Sequence, residues 1–155
     1  MRLVIIGGDA AGMSAAGRAK RTIPEMEVVV LERTGDVSYS ACGMPYNIAD
    51  PKRSMEDLIV RKAEVFREKQ GIDLRTGHRV DVIEPGSRTV SGVTTAGEPF
   101  SLQYDKLLIA TGASPILPEV PGARLPGVMA LKSLDDGRAI KGYLSRAGVK
   151  KVVIV

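Results

Sequence analysis

An α/β fold, with a parallel sheet flanked by helices, is what this sequence predicts, and three observations predict it. Two continuous apolar runs, Leu3-Val4-Ile5-Ile6 and Val28-Val29-Val30-Leu31, are short and do not alternate, so they read as strands buried on both faces. Between them lie the turn Gly7-Gly8 and a stretch whose small residues recur at helical spacing. A third run, Leu107-Leu108-Ile109-Ala110, repeats the first pattern after a long interruption and returns the chain to the same sheet. Strand, helix and strand in this order form the core of a Rossmann half.

The first helix is expected from Gly12 to Arg21, with Ala11, Ala15 and Ala19 on the face that approaches the sheet and Arg18 and Arg21 turned outward. Pro24 ends it, and Glu27 to Glu32 is the second strand. Another helix is expected from Cys42 to about Ala49, stopped before Pro51. Ile59, Ala63 and Phe66 fall at i, i+4 and i+7, which predicts an amphipathic helix ending by Gly71. Over about residues 77–102, short alternating runs are broken by Pro85-Gly86, Ser91-Gly92 and Ala96-Gly97, the pattern of a β-meander inserted in one crossover. Pro115, Pro118, Pro121 and Pro126, with Gly122 and Gly127, then mark a stiff extended linker. A helix from about Ser133 to Ala147, capped by Ser133 or Asp135, leads into Lys150 to Val155, which reads as the first strand of a further Rossmann unit. A flat apolar strand left at a terminus is a pairing hazard, so the fold is expected to be truncated here.

Composition narrows the function classes. The 155-residue chain is 44% hydrophobic and 26% charged, ordinary for one globular domain with a proper core. Its apolar runs fall far short of the roughly 20 residues of a membrane span, so no membrane anchor is expected. The N-terminus enters a strand at once, without the leader and cleavage site of a secretory signal, and a cytoplasmic setting is expected. One cysteine, Cys42, and one histidine, His78, exclude an internal disulfide and leave no metal-ligand spacing. His78 reads as a turn or strand-edge residue rather than a base. The formal charge of +4 comes partly from Arg18, Lys20, Arg21 and Arg33. Such a cluster is either a solvated face or a landing site for phosphates of a small anionic substrate. No basic surface interleaved with aromatics points to nucleic acid.

The turn carries the first functional signal. Gly7-Gly8-Asp9-Ala10-Ala11-Gly12 matches G-x-G-x-x-G at its first and third glycines, with Asp9 in place of the second. The tight turn, the close helix-to-strand packing and the free N–H groups at a helix N-terminus are what a pyrophosphate needs. A carboxylate there repels phosphate, so the Asp9 side chain is expected to point away or to bond locally. Glu32 follows Gly12 by 20 residues at the end of the next strand, where it can accept two ribose hydroxyl hydrogen bonds; its other reading is a strand-end carboxylate paired with Arg33 or another base.

The second signal is the thiol. Cys42 lies in Ser38-Tyr39-Ser40-Ala41-Cys42-Gly43-Met44-Pro45-Tyr46, where a cysteine opening a helix gains the partial positive charge that favours thiolate.

With the turn, Glu32-Arg33, the Ser38 to Tyr46 segment and Tyr104-Asp105-x-Leu107-x-Ile109-Ala110-Thr111-Gly112, the chain resembles the pyridine nucleotide-disulfide oxidoreductases along its whole length. Within them it is most similar to the single-cysteine branch of CoA-disulfide reductases, CoA-persulfide reductases, and NADH oxidases and peroxidases. The resemblance implies an FAD-binding domain over residues 1–113, a linker over 114–130, and over 131–155 the start of an incomplete NAD(P)-binding domain. It assigns to FAD the residues Gly7, Gly8, Asp9, Ala10, Ala11, Gly12, Glu32, Arg33, Val80, Ala110, Thr111 and Gly112, and it turns Cys42 toward the flavin. It assigns Ser14, Arg18, Arg21 and Ser38 to CoA. Ala41 departs from the asparagine often found before the cysteine.

Two-cysteine relatives carry C-x-x-x-x-C, but position 47 here is Asn47, so Cys42 must alternate between thiolate and a mixed disulfide, persulfide or sulfenic acid. The implied function is reduction of CoA disulfide, CoA persulfide or a related small disulfide or polysulfide by NAD(P)H. The alternatives are an NADH oxidase or peroxidase, and a flavin-binding or thiol-sensing fragment without turnover. The complete protein is expected to be a homodimer, and this chain alone inactive.

Overall fold

The computed structural model describes residues 1–146 and 148–155, which group into two units: Met1–Tyr39 with Ile59–Gly112, and Ser40–Leu58 with Ala113–Val155. The expected helix end at Ala147 lies outside the described residues.

In the first unit, β1 (Arg2–Ile6), β2 (Glu27–Leu31), β3 (Asp73–Arg75) and β7 (Lys106–Ile109) form a parallel sheet in the order β3-β2-β1-β7. Strand alternation sorts the apolar runs onto two faces. Ile5, Val28, Val30 and Leu74 pack with Met13 and Ala16 of α1 (Ala10–Thr22) and Phe66 of α3 (Ala63–Gln70). Val4, Ile6, Val29 and Leu31 pack with Val90 of an antiparallel sheet formed by β4 (His78–Glu84), β5 (Thr89–Thr94) and β6 (Pro99–Gln103). The meander is therefore a covering layer as well as an insertion. Full burial of residues such as Ile5 and Leu31 contributes about 1.5–3 kcal/mol each.

Several expectations are corrected. The buried face of α1 is Gly12, Met13, Ala16 and Gly17; Ala15 and Ala19 only flank the core, and Ala11 is exposed. The helix expected from Ile59 begins at Ala63, because Ile59 bridges Tyr39 in extended backbone and the Val60 N–H donates to Ser38 O at 2.9 Å. Gly71 ends it in the left-handed conformation, φ +61°. β7 has a parallel neighbour on one side only and is half-buried, with Ile109 59% exposed. β3 is a strand not expected at all.

In the second unit, a 3-10 turn (Ala41–Gly43) precedes α2 (Met44–Ala49), a second 3-10 turn spans Met55–Leu58, and α4 runs Leu134–Arg146. Leu134 of α4 is buried, and Gly137 lies so close to Met55 that a Cβ on it would stand 2.3 Å from the Met55 methyl. Lys141 Nζ donates to the carbonyls of Asn47 (2.7 Å), Asp50 (2.8 Å) and Arg53, and Arg138 pairs with both oxygens of Glu56 at 2.8 and 3.0 Å. No helix or strand lies between Ile109 and Leu134. Lys150 to Val155 is not a strand: an apolar run needs a neighbour for its ladder, and among the described residues it has none.

Ser133, not Asp135, caps α4. Its hydroxyl accepts from Asp136 N at 3.2 Å, while Asp136 Oδ2 accepts from the N–H groups of Ser133 (2.7 Å) and Lys132 (3.0 Å), a reciprocal capping box. Burial opposes ionisation of Asp136, but the bonds from Ser133 and Lys132 prevail and hold its carboxyl below the usual range. A lowered carboxyl contributes stability that is present above its unfolded pKa and lost as pH falls through the folded value. Asp136→Ala is therefore expected to cost about 1 kcal/mol at neutral pH. It should also flatten the acid dependence of amide-exchange protection in the first turn of α4, and equal acid dependence in both proteins would refute the role. No described helix is long and apolar enough to cross a membrane.

Candidate functional site

The nucleotide turn stands at the C-terminal ends of the parallel strands of the first unit. Gly7 adopts φ +111°, which favours glycine, and donates its N–H to Leu31 O at 2.8 Å. A Cβ at Gly7 would lie 2.3 Å from Ala110 O, and one at Gly12 would lie 1.9 Å from Gly7 O. The two glycines thus let β1, β7 and the start of α1 meet at backbone distance. Gly8 is closed over by Glu32 Cβ and Val37 Cγ1, which would stand only 2.9 and 3.0 Å from a Cβ on it, closer than van der Waals contact allows.

Glu32 follows β2 and faces the turn. Its Oε2 accepts from Gly8 N at 2.7 Å, and its Oε1 accepts from Thr34 N and Thr34 Oγ1, both at 2.8 Å. The Arg33 pairing is not what occupies this carboxylate; Arg33 is exposed. Asp9 makes no side-chain cap bond, and its Oδ1 is buried without a hydrogen-bond partner among the described residues, so of the two alternatives expected for it local bonding at Oδ1 is not seen. By helix geometry the first N–H groups of α1 lack intrahelical acceptors and point toward the turn. The glycine cradle, the oriented carboxylate and the open helix N-terminus are the donor and acceptor set that a dinucleotide takes. The residues present fit the ADP half that FAD shares with other adenine dinucleotides.

Ser38 is brought to this turn. Its N–H donates to Gly8 O at 3.1 Å, and its backbone is left-handed, φ +50°, a rare conformation for a side-chain-bearing residue. Ala110 is half-buried beside Gly7, while Thr111 and Gly112 are exposed, Gly112 at φ +68°. Ala10 and Ala11 are exposed in the first turn of α1. Val80, in β4 of the meander, packs against the second core face. Ser14, Arg18 and Arg21 are all exposed and, spaced by four and three residues, share one face of α1. Lys20 of the same basic cluster is committed elsewhere: its Nζ donates to Pro24 O (2.6 Å) and Met26 O (3.1 Å), closing the turn after α1. His78 opens β4, with Nδ1 2.9 Å from Thr76 O and its ring 5.1 Å from that of Phe100, a strand-edge position as expected.

Cys42 belongs to the second unit. It does not open an α-helix; it sits in the middle of the 3-10 turn that precedes the six-residue α2, and it is exposed as a free thiol. The turn is tight because Gly43 has no side chain: a Cβ there would stand 2.4 Å from Leu58 Cδ2. Asn47, at the place of a second cysteine, is 3% exposed and donates its Nδ2 to Ser54 O at 2.6 Å. No group of three His, Cys, Asp or Glu side chains among the described residues is placed to hold a metal. Two participants escaped the sequence reading. Thr34 carries no motif, and Lys141 lies far along the chain from the carbonyls it holds; only the fold joins them.

The sequence pattern described as pyridine nucleotide-disulphide oxidoreductase matches residues 1–155. An NADH oxidase of Methanocaldococcus jannaschii is 35% identical over 155 residues, covering 100% of this chain and 35% of that protein. A CoA-dependent NAD(P)H sulfur oxidoreductase of Pyrococcus furiosus is 43% identical over 154 residues, covering 99% of this chain and 34% of the other. The crystal structure of reduced Bacillus anthracis CoADR-RHD superposes with a TM-score of 0.90 at 30% identity, over 95% of this chain and 27% of that one. The chain spans about a third of the length of the curated relatives it matches.

Proposed function

The chain belongs to the pyridine nucleotide-disulphide oxidoreductase family, and from that premise we propose that it is the FAD-binding portion of an enzyme that uses NAD(P)H to reduce CoA disulfide, CoA persulfide or a related small disulfide or polysulfide. One observation carries this reading: Cys42 is exposed and alone, while the position of a resolving partner is filled by Asn47, buried and hydrogen-bonded to Ser54 O. Within this chain an internal disulfide cycle has no second thiol. The Cys42 thiolate instead attacks a disulfide R–S–S–R′, forming Cys42–S–S–R and expelling R′–S⁻, which takes a proton. Two electrons and a proton then release R–SH and restore the thiolate. FAD, when bound, supplies those electrons from NAD(P)H.

The residues proposed to hold the cofactor are Gly7, Gly8, Asp9, Ala10, Ala11 and Gly12, with Glu32, Arg33, Val80, Ala110, Thr111 and Gly112. Main-chain N–H groups at the start of α1 take the pyrophosphate and Glu32 takes the ribose. Ser14, Arg18 and Arg21 offer a hydroxyl and two guanidinium groups on one exposed face of α1, a donor set for CoA phosphates, and Ser38 is proposed to join them. A homodimer in the cytoplasm is proposed for the complete protein.

The test compares wild type and Cys42→Ser in the complete protein. NAD(P)H consumption with CoA disulfide or CoA persulfide is expected to fall to background in the variant, with a CoA adduct trapped on Cys42 of the wild type. The 35% identity to a protein named an NADH oxidase supports a second reading, in which Cys42 cycles through sulfenic acid. In that case oxygen or peroxide replaces the CoA substrate and a sulfenate is trapped. Unchanged turnover in Cys42→Ser would remove both readings.

A further inference from the structure

We infer that Thr34 is a positioning residue for the nucleotide site: it consumes both acceptor positions of Glu32 Oε1 and so leaves the carboxylate to recognise a ribose diol through a single hydroxyl at Oε2. The inference rests on the reading that this turn takes an adenine dinucleotide.

The backbone around the pair is fixed first. Glu32 N donates to Arg75 O at 2.9 Å, Glu32 O accepts from His78 N at 2.8 Å, and Thr34 O accepts from Gly77 N at 3.1 Å. The Glu32–Thr34 segment is therefore stitched to the β3–β4 connection on both sides, and neither residue can swing without breaking main-chain bonds. The side chains are then counted. A carboxylate offers about four acceptor positions, two on each oxygen. Thr34 N and Thr34 Oγ1 fill the two on Oε1 at 2.8 Å each, and Gly8 N fills one on Oε2 at 2.7 Å. One position on Oε2 remains.

The Thr34 hydroxyl has a competing acceptor, Asp36 O, at 3.2 Å. It carries one proton, and the shorter bond to an ionised oxygen is the stronger. The hydroxyl thus serves the carboxylate, and the carboxylate plane is set by three donors from the protein before any ligand arrives. A ribose presents two neighbouring hydroxyls. With Oε1 saturated, only one of them has an acceptor on Glu32, where the spacing alone suggested two.

Two measurements test this. In the first, binding of ADP, 2′-deoxy-ADP and 3′-deoxy-ADP is compared in wild type, Thr34→Val and Thr34→Ser. One deoxy analogue is expected to lose about tenfold or more in affinity and the other little, the size of one hydrogen bond to a charged group. Thr34→Val, which keeps the shape and removes the hydroxyl, should shrink that discrimination several-fold, and Thr34→Ser should restore it. Comparable losses for both analogues in the wild type, or Thr34→Val with undiminished discrimination, would overturn the inference.

In the second, hydrogen exchange at the Gly8 amide is followed without ligand. Thr34→Val is expected to reduce its protection about fivefold, because a loosened carboxylate holds Gly8 N–H less well, and Thr34→Ser to return it. Unchanged Gly8 protection in Thr34→Val would overturn the positioning role. A wild type that binds no ADP would refute the dinucleotide reading itself, and the Gly8 amide would still decide whether Thr34 orients Glu32.

Discussion

Gly12→Ala is expected to destabilise the protein by about 3 kcal/mol, although helix propensity alone argues the other way. Gly12 lies inside α1, where replacing glycine by alanine ordinarily gains about 1 kcal/mol. The new Cβ, however, would stand 1.9 Å from Gly7 O and 3.3 Å from Ile5 Cγ2. The oxygen cannot yield, because it belongs to a backbone tied through Gly7 N to Leu31 O and bent into positive φ. A shift of more than an ångström must pass into β1 or α1, and overpacking on this scale outweighs the propensity gain. Gly17→Ala in the same helix is the control. Its Cβ would meet only Arg21 Nη1 at 3.2 Å and Gln70 Oε1 at 3.3 Å, the ends of two flexible side chains. That change is expected to be neutral or to stabilise by about 0.5 kcal/mol. Thermal unfolding should therefore place the two variants on opposite sides of wild type, with Gly12→Ala lower by about 15 °C if the unit behaves like a domain of ~100 residues. Equal midpoints would show that the close approach at Gly12 does not constrain the turn.

Lys141→Met should cost the second unit about 2 kcal/mol. The methionine keeps the apolar stem but offers no donor to the carbonyls of Asn47, Asp50 and Arg53, three groups that one ammonium serves with its three N–H bonds. The bonds to Asn47 and Asp50 are half-buried and the one to Arg53 is exposed, so water replaces part of what is lost and the full penalty of three orphaned acceptors is not reached. Amide exchange should speed up in α2 and α4 together while the sheet of the first unit keeps its protection. Uniform protection in both units, as in wild type, would mean that the ammonium is dispensable.

The elements legible in the sequence are those whose cause is local or periodic. Continuous apolar runs announced β1 and β2 because strands buried on both faces must be apolar throughout, and β7 by the same pattern although it is only half-buried; Pro85-Gly86 and Ala96-Gly97 announced the turns of the meander, whereas Ser91-Gly92, expected as a third break, lies inside β5, paired with Ser101 and Phe100. The glycine turn was legible for the same reason, since its requirements lie within six residues. What escaped depends on neighbours distant in sequence. β3 is three residues long and exists because β2 offers it an edge. Lys150 to Val155 has the apolar run of a strand without an edge to join. The amphipathic spacing from Ile59 was real in pattern, yet the bond from Val60 N–H to Ser38 O, in the bridge that sets Ile59 opposite Tyr39, took its first turn for extended backbone. Cys42 was expected to open a helix running to about Ala49 and stopped before Pro51; the chain takes a 3-10 turn first, and α2 begins two residues later. The role of Thr34 was invisible because a threonine two residues past a carboxylate means nothing until both ends of that segment are pinned.

The grouping of Ser40–Leu58 with Ala113–Val155 has a consequence for the order in which the molecule is made. As the chain emerges from the ribosome, the parallel sheet can close once Lys106–Ile109 is available to β1. The cysteine-bearing segment gains its long-range bonds only with α4, because Glu56 to Arg138 and Asn47 to Lys141 span 82 and 94 residues. Contacts of such separation form late and carry a large loop-closure cost. During that interval the segment is held only by its own short-range bonds, such as Ser40 N–H to Leu58 O and Asn47 Nδ2 to Ser54 O, so amide exchange in α2 should be fastest in nascent chains that end before Leu134.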